Sequence, residues 1–202
     1  MRLLLARHGE TDYNRRWRYQ GHIDLRLNQA GLLQAERLRH RLSREPIDVI
    51  YTSKLKRAED TAGIIARGRG LRVVPCENLA EIDFGKFEGM TYAEIVKSYP
   101  DWQPSDSSFT AYGGESLEQL ARRIRAFENE LRSDNPADAN ILIIAHSGSL
   151  RVLLCVLLGI DIENWRRFRL APASLTVVED FGGEPVLTLL NDVSHLKTGY
   201  RE

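Results

Sequence analysis

Residues 1–14 read "MRLLLARHGETDYN". The apolar run 2–6 has the length of a strand and no helical period, and it leads straight into Arg7, His8 and Gly9. A strand that stops in charged residues is ordinary. A strand that delivers an imidazole beside a guanidinium can also present a nucleophile and an anion-binding group at one edge of a sheet. The choice between these depends on what the rest of the chain delivers to the same edge.

Three further runs, "DVIYT" (48–52), "LRVVPC" (71–76) and "NILIIA" (140–145), read as strands, mostly of the continuous apolar kind buried on both faces. Amphipathic helices lie between them. Leu32, Ala35, Leu38 and Leu42 recur at helical spacing, and so do Leu117, Leu120, Ala121, Ile124, Phe127 and Leu131. "TYAE" at Thr91 and "SLEQ" at Ser116 are capping boxes that start helices. The run 149–158, apolar on nearly all sides and stopped by Gly159, reads as a buried helix. "LTVVED" and "VLTLLN" read as two more strands joined by a turn around "FGGEP". This alternation predicts an α/β fold with a mostly parallel sheet, in a single domain over 1–202. Residues 97–115 fit no period and read as a substrate-facing loop or lid.

The 202 residues carry 28 Lys+Arg against 28 Asp+Glu. Zero formal charge leaves no basic footprint for nucleic acid and no case for an anionic membrane, though a local arginine cluster can still bind one small anion. Cys76 and Cys155 stand alone, with no metal-ligand spacing around them. The stretch before Arg7 is too short for a signal core, and no apolar run reaches a membrane span. A cytoplasmic protein acting on a small molecule is the expectation. Oligomeric state is not readable, with a homodimer left open.

In such folds ligands bind beyond the carboxyl ends of the strands. Arg7 and His8 follow the first strand, His146 follows "NILIIA", and Glu81 comes soon after the third strand. Arg57 falls one turn into the helix begun by "YTSKLKRAEDTA", four residues after Ser53, which reads as its N-cap. Each has a bland reading: a surface ion pair, one of many solvated cations, a satisfied core histidine. Together they place two arginines, two histidines and a carboxylate on one sheet edge, a set that favours a phosphate dianion with a histidine able to attack it. Rival nucleophiles fail on spacing. A cysteine phosphatase needs arginine six positions after the cysteine, where this chain has Ile82 and Asp161, and no G-x-S-x-G elbow occurs.

"LLLARHGETDYN", "QGHIDLRLNQAGLLQA", "YTSKLKRAEDTA", "LAEIDFGKFEGM" and "IIAHSGSLR", in this order, resemble the histidine phosphatase superfamily, the phosphoglycerate mutase-like proteins. The resemblance implies a three-layer α/β/α sandwich and a phosphohistidine intermediate. It implies His8 as nucleophile, Arg7, Arg57 and His146 as ligands of the phosphoryl oxygens, and Glu81 as proton donor. Asn14, Gln20 and Gly21 would join the pocket, with Ser147 beside the leaving group. No metal and no cofactor is implied, because the arginines do a metal's charge work. The chain departs from the family at Ser147-Gly148, where Gly-Gly or Gly-Asn is common, and at Arg26, where proline is frequent.

The expected activity is hydrolysis of a phosphomonoester. The alternatives are a phosphoglycerate mutase and, from another class, a non-enzymatic phosphate-ester sensor. The mutases resembled here are longer, with a base-rich insertion that grips a carboxylate. Residues 97–115 offer Lys97 alone among Lys and Arg, with Asp101, Asp106 and Glu115 and the rings of Tyr99, Trp102, Phe109 and Tyr112. These rings are either packing or a wall, with Trp102 and Tyr112 facing a neutral or aromatic leaving group. "LAEIDFGKFEGM", "GGES" and "NDVSHL" look most like the α-ribazole phosphatases of cobalamin biosynthesis, with α-ribazole 5′-phosphate as substrate. Broad sugar-phosphate and phosphoserine phosphatases share these features. His195 reads as structural, with the pocket rim as its other placement.

Overall fold

The computed structural model describes residues 1–103 and 109–196. Six strands form one sheet: β1 (Arg2–Arg7), β2 (Val49–Ser53), β3 (Arg72–Cys76), β4 (Asn140–Ala145), β5 (Leu175–Asp180) and β6 (Pro185–Asp192). Their order is β3-β2-β4-β1-β5-β6. The first four run parallel, β5 pairs antiparallel with β1, and β6 closes the far edge as an antiparallel hairpin with β5.

Side chains alternate across a strand, and each alternate set meets its own helices. Leu3, Leu5, Val49, Tyr51, Ile141 and Ile143 pack against α5 (Leu117–Asp134) and α6 (Ser147–Leu157). Leu4, Ala6, Ile50, Leu142 and Ile144 pack against α2 (Gln29–Arg41) and α3 (Lys56–Ala66). Two helical layers thus cover the two faces, giving the α/β/α sandwich. A short α1 (Asp12–Arg15) lies above the sheet edge, and α4 (Tyr92–Ser98) leads into the 97–115 segment. Among the described residues no helix is long and apolar enough to cross a membrane.

The capping boxes at Thr91 and Ser116 are present as read. Other details differ from the sequence expectation. Leu32 shares the helical period of α2 yet is exposed. β3 is an edge strand and is only partly covered. Ser53 ends β2 and does not cap α3 in the expected way. The helix begins at Lys56 after Leu55, which makes no side-chain cap. Asp24 supplies the missing acceptor from a distant loop, taking the Lys56 N–H at 2.7 Å. Of the described residues in 97–115, Trp102 and Phe109 are buried and Tyr99 and Tyr112 are half-buried. Tyr112 lies 4.5 Å from Phe87, ring to ring, and 5.2 Å from Tyr99, while Trp102 packs edge-on to Phe87 at 5.3 Å. Asp106 lies outside the described residues.

Candidate active site

Parallel pairing explains how the two histidines meet. Arg7 and Ala145 are register partners on neighbouring strands, and the next residue on each strand is His8 or His146. The His8 N–H still donates to the Ala145 carbonyl at 3.0 Å. Neighbouring strands are about 4.8 Å apart, and the two imidazole rings end with centroids 5.0 Å apart. Both rings are buried, at 2% and 0% exposure.

The His8 ring is fixed on one side. Its Nδ1 lies 2.7 Å from the Gly9 carbonyl, so Nδ1–H donates there and Nε2 keeps a lone pair. Gly9 itself is held by the Thr61 hydroxyl, which takes its N–H at 3.2 Å. Burial first, then the charges of Arg57 and Arg7, lower the His8 pKa well below 6.5 against the opposing Gly9 bond. The ring is therefore neutral at ordinary pH. The His146 pKa is lowered for the same first reasons, burial and Arg57, then His8 and Arg7. His146 Nδ1 accepts from Arg57 Nε at 3.1 Å, which leaves the proton on Nε2, 2.8 Å from the Ser53 hydroxyl.

Arg57 is a fully buried guanidinium with five donors. Three are committed, to His146 and to the carbonyls of Ile23 (2.8 Å) and Gly21 (2.7 Å). Two remain. Arg7 gives one bond to the Leu170 carbonyl at 2.8 Å, and its buried Nε has no partner. Burial pushes both pKa values down to about 10, with Glu81 opposing the shift in each case. Both stay charged, and both spend their protein bonds on neutral acceptors. A pair of desolvated cations with spare donors is a strong anion site.

Glu81 follows a short 3-10 turn (Glu77–Leu79) and is 8% exposed. Its two oxygens accept from the backbone N–H groups of Ile82 (3.0 Å), Gly148 (3.1 Å) and Ser149 (3.2 Å). The last two belong to the first turn of α6, where orphan donors point outward. A Cβ on residue 148 would run into Glu81 Oε1, so glycine there is a condition of this contact. Arg123 on α5 braces the same segment. It donates to the carbonyls of Asn78, Ala80 and Glu81 and pairs with Glu115 at 2.6 Å, while Glu115 accepts the Asp83 N–H.

A cavity of about 520 Å³ opens over these groups, lined by Arg7, His8, Arg57, Glu81, Asn14, Gln20 and Gly21 among others. Gln20 is held by the Thr11 hydroxyl at 2.8 Å, and Asn14 completes a capping box with Thr11. A second cavity of about 390 Å³ shares Tyr19, Glu81 and Phe84 with the first and continues past Trp102, Phe109 and Ser147 to Arg151, Trp165 and Arg166. The structure thus gathers Arg7, His8, Arg57, Glu81, Asn14, Gln20 and Gly21 in one place. Trp102 does border the second cavity, though its ring is 4% exposed and its indole N–H is buried without a partner. Tyr112 lines neither cavity, because Phe87 and Tyr99 enclose it. His195 is also away from both, bonding to the Ala173 carbonyl at 3.0 Å.

The sequence reading missed Arg151, Arg166, Arg123 and the backbone donors of α6. One signal existed for Arg151: it stands four residues after Ser147 on a helix, hence on the same face. The second cavity, which Trp102 and Phe109 of the 97–115 segment border, is lined by Arg151 and Arg166 as well.

Fold and site together are those of a phosphatase on the phosphoglycerate mutase-like plan. The sequence matches the histidine phosphatase superfamily (branch 1) over residues 3–193, and the chain belongs to that family. It is 34% identical to phosphoserine phosphatase 1 of Hydrogenobacter thermophilus over 100% of this chain and 97% of that one. The fold is similar to a mycobacterial glucosyl-3-phosphoglycerate phosphatase solved with VO3, with TM-score 0.85, 32% identity and coverage of 94% and 98%. It is similar as well to the α-ribazole phosphatase from Shigella flexneri, with TM-score 0.82, 28% identity and coverage of 95% and 96%.

Proposed function

We propose that this phosphatase hydrolyses a small-metabolite phosphomonoester without a metal, passing the phosphoryl group through His8. The observation that carries the reading is the His8 ring. Its Nδ1 is locked on the Gly9 carbonyl, and it borders the cavity that Arg7, Arg57 and Glu81 also line. A neutral imidazole so fixed has its Nε2 lone pair available for attack at phosphorus.

The phosphoryl group in transfer spreads charge over three oxygens. Arg7, with four uncommitted donors, and Arg57, with two, meet that charge, and their desolvation strengthens each contact. As the Nε2–P bond forms, the ester P–O bond breaks and the alcohol oxygen takes a proton from Glu81. Water then attacks phosphorus, gives its proton to the Glu81 carboxylate, and the N–P bond breaks to release phosphate. His146 acts by fixing Arg57. A direct His146 contact to a phosphoryl oxygen would replace its bond to Ser53 or to Arg57.

A rapidly quenched reaction with labelled substrate should leave an acid-labile, base-stable label on His8, and EDTA should leave its formation unchanged. Turnover at the wild-type rate without His8 would overturn the proposal. A second reading, an aromatic leaving group as in α-ribazole 5′-phosphate, is favoured by the rings of Tyr19, Phe84, Trp102 and Phe109 around the second cavity. A panel of phosphomonoesters spanning aryl, ribosyl, sugar and hydroxy-acid alcohols tests it.

A further inference from the structure

We propose that Arg151, with Arg166 beside it over the Trp165 ring, forms an anion subsite for the leaving group, and that its ligand is a carboxylate on the alcohol half of the ester. The inference rests on the phosphatase reading above and names the substrate class of that site.

The two cavities meet at Tyr19, Glu81 and Phe84. An ester with its phosphoryl group against Arg7 and Arg57 therefore leads its alcohol past Glu81 into the second cavity. Half of the described residues that line that cavity are aromatic: Tyr19, Phe84, Trp102, Phe109 and Trp165. Among the described residues its charged groups are Glu81, Arg151 and Arg166, and Glu81 is already engaged by three backbone N–H groups. The Arg151 and Arg166 guanidinium carbons lie 6.0 and 5.2 Å from the Trp165 ring centroid, a platform that restrains both. Arg151 Nε is buried and has no hydrogen-bond partner. Leaving a buried charged donor unmade is costly, and an incoming anion removes that cost. The small volume and ring-lined walls suit a planar group. A carboxylate accepts two parallel bonds from one guanidinium fork, which a neutral heterocycle cannot do.

Three probes separate the charge from everything else: O-phosphoserine, its carboxyl methyl ester, and phosphoethanolamine, which lacks the carboxyl group. Wild-type kcat/KM for phosphoserine should exceed that for the other two by about 10- to 100-fold, the range of a hydrogen bond to a charged group. In Arg151→Met that ratio should collapse to within about threefold, mainly through KM, and Arg151→Lys should fall between, since it keeps charge without the fork. Using a ratio makes a general loss of activity cancel. The methyl ester supplies the same test on wild-type protein should Arg151→Met fail to fold. A methyl ester cleaved as well as phosphoserine, or an unchanged ratio in Arg151→Met, overturns the subsite alone. No hydrolysis of these esters or of p-nitrophenyl phosphate overturns the phosphatase reading and the subsite with it.

Discussion

The two ends of the candidate site are built in different ways. Around His8, each side chain is at the last residue of a strand, one residue past it, or within the first turn of a helix, and each is tied to backbone. Gly9 holds His8, Gly21 and Ile23 hold Arg57, and Leu170 holds Arg7. Around Trp102 and Arg151, the wall comes from segments after α4, from the 3-10 helix bearing Trp165, and from one outer face of α6. Its polar atoms include three, Trp102 Nε1, Arg151 Nε and Trp165 Nε1, that are buried without partners, against Arg7 Nε at the first end. The first end is fixed by the same register that builds the sheet. The second can change its residues without disturbing a strand. That contrast fits relatives named for phosphoserine, glucosyl-3-phosphoglycerate and α-ribazole phosphatase activity on one fold.

The comparison makes a sharp demand on mutants: changes at the first end should affect all esters alike. His8→Ala should have the largest effect, a loss of about 10⁴-fold or more in kcat for alkyl and aryl esters together. Steady-state rates on a sugar phosphate and on p-nitrophenyl phosphate check it. A loss limited to one ester class would break the division between the ends.

Glu81 stands on the boundary, since both cavities share it. Glu81→Gln should slow esters with poor leaving groups by about 10²–10⁴-fold, the usual span of general acid catalysis. Aryl phosphates need no proton on departure, so their single-turnover phosphorylation should change little. Gly148→Ala should reproduce that selectivity, up to about 10²-fold, because the added Cβ displaces the carboxylate without removing it. An equal loss across leaving-group pKa in either variant would deny Glu81 the acid's role.

Arg57→Ala comes next, with about 10²–10³-fold lost in kcat for every ester, the scale for one preorganised charge-stabilising donor. Arg67→Ala serves as the control, an exposed arginine paired with Glu36 on the surface. Similar kinetics in the two variants would mean that Arg57 only supports the fold.

How much was legible in advance follows the same division. His8 and His146 could be read because an apolar strand announces its own end, and parallel neighbours bring their ends together. Glu81 and Arg57 could be read from the quoted motifs, but their supports could not. The cap of α3 comes from Asp24, 32 residues away from Lys56, while Ser53, the obvious local candidate, lies 2.8 Å from His146. Arg123 belongs to no motif in the sequence, yet it holds three carbonyls of the Glu81 segment. Tyr112 and Trp102 sit close in sequence and differ in fate, one enclosed by Phe87 and Tyr99 and the other at a cavity wall. A loop without periodicity does not specify which side of each ring meets the core. The charge beside these rings was hidden for the same reason, since Arg151 and Arg166 enter from a distant part of the chain.

The smallest expected effect concerns stability, and it asks whether the first end stays neutral at its histidines. His8 and His146 are buried, and the adjacent Arg57 and Arg7 add to burial in lowering both pKa values well below 6.5. In the unfolded chain both return to that ordinary value. The folded state thus binds fewer protons than the unfolded state once pH falls below about 6.5, so stability must decline with falling pH in that window. The contribution is fully present above the unfolded value and is lost progressively below it, until the folded values are reached. Between about pH 7.5 and about pH 5.5 each histidine that is charged in the unfolded chain and neutral in the folded one contributes a slope of at most about 1.36 kcal/mol per pH unit. The lowered carboxylates, such as Asp24 and Asp180, act in the same direction but at lower pH, because their ordinary values are near 3.8. Urea midpoints at the two pH values, converted with a common slope, should therefore show the wild type less stable at the lower pH. The His8→Asn/His146→Asn double variant should lose much less over the same interval, whatever its absolute stability. A double variant with the wild-type pH slope would mean that the two rings take up protons in the folded protein as readily as in the unfolded chain, so that His8 loses the lone pair it needs to attack phosphorus once pH falls below about 6.5.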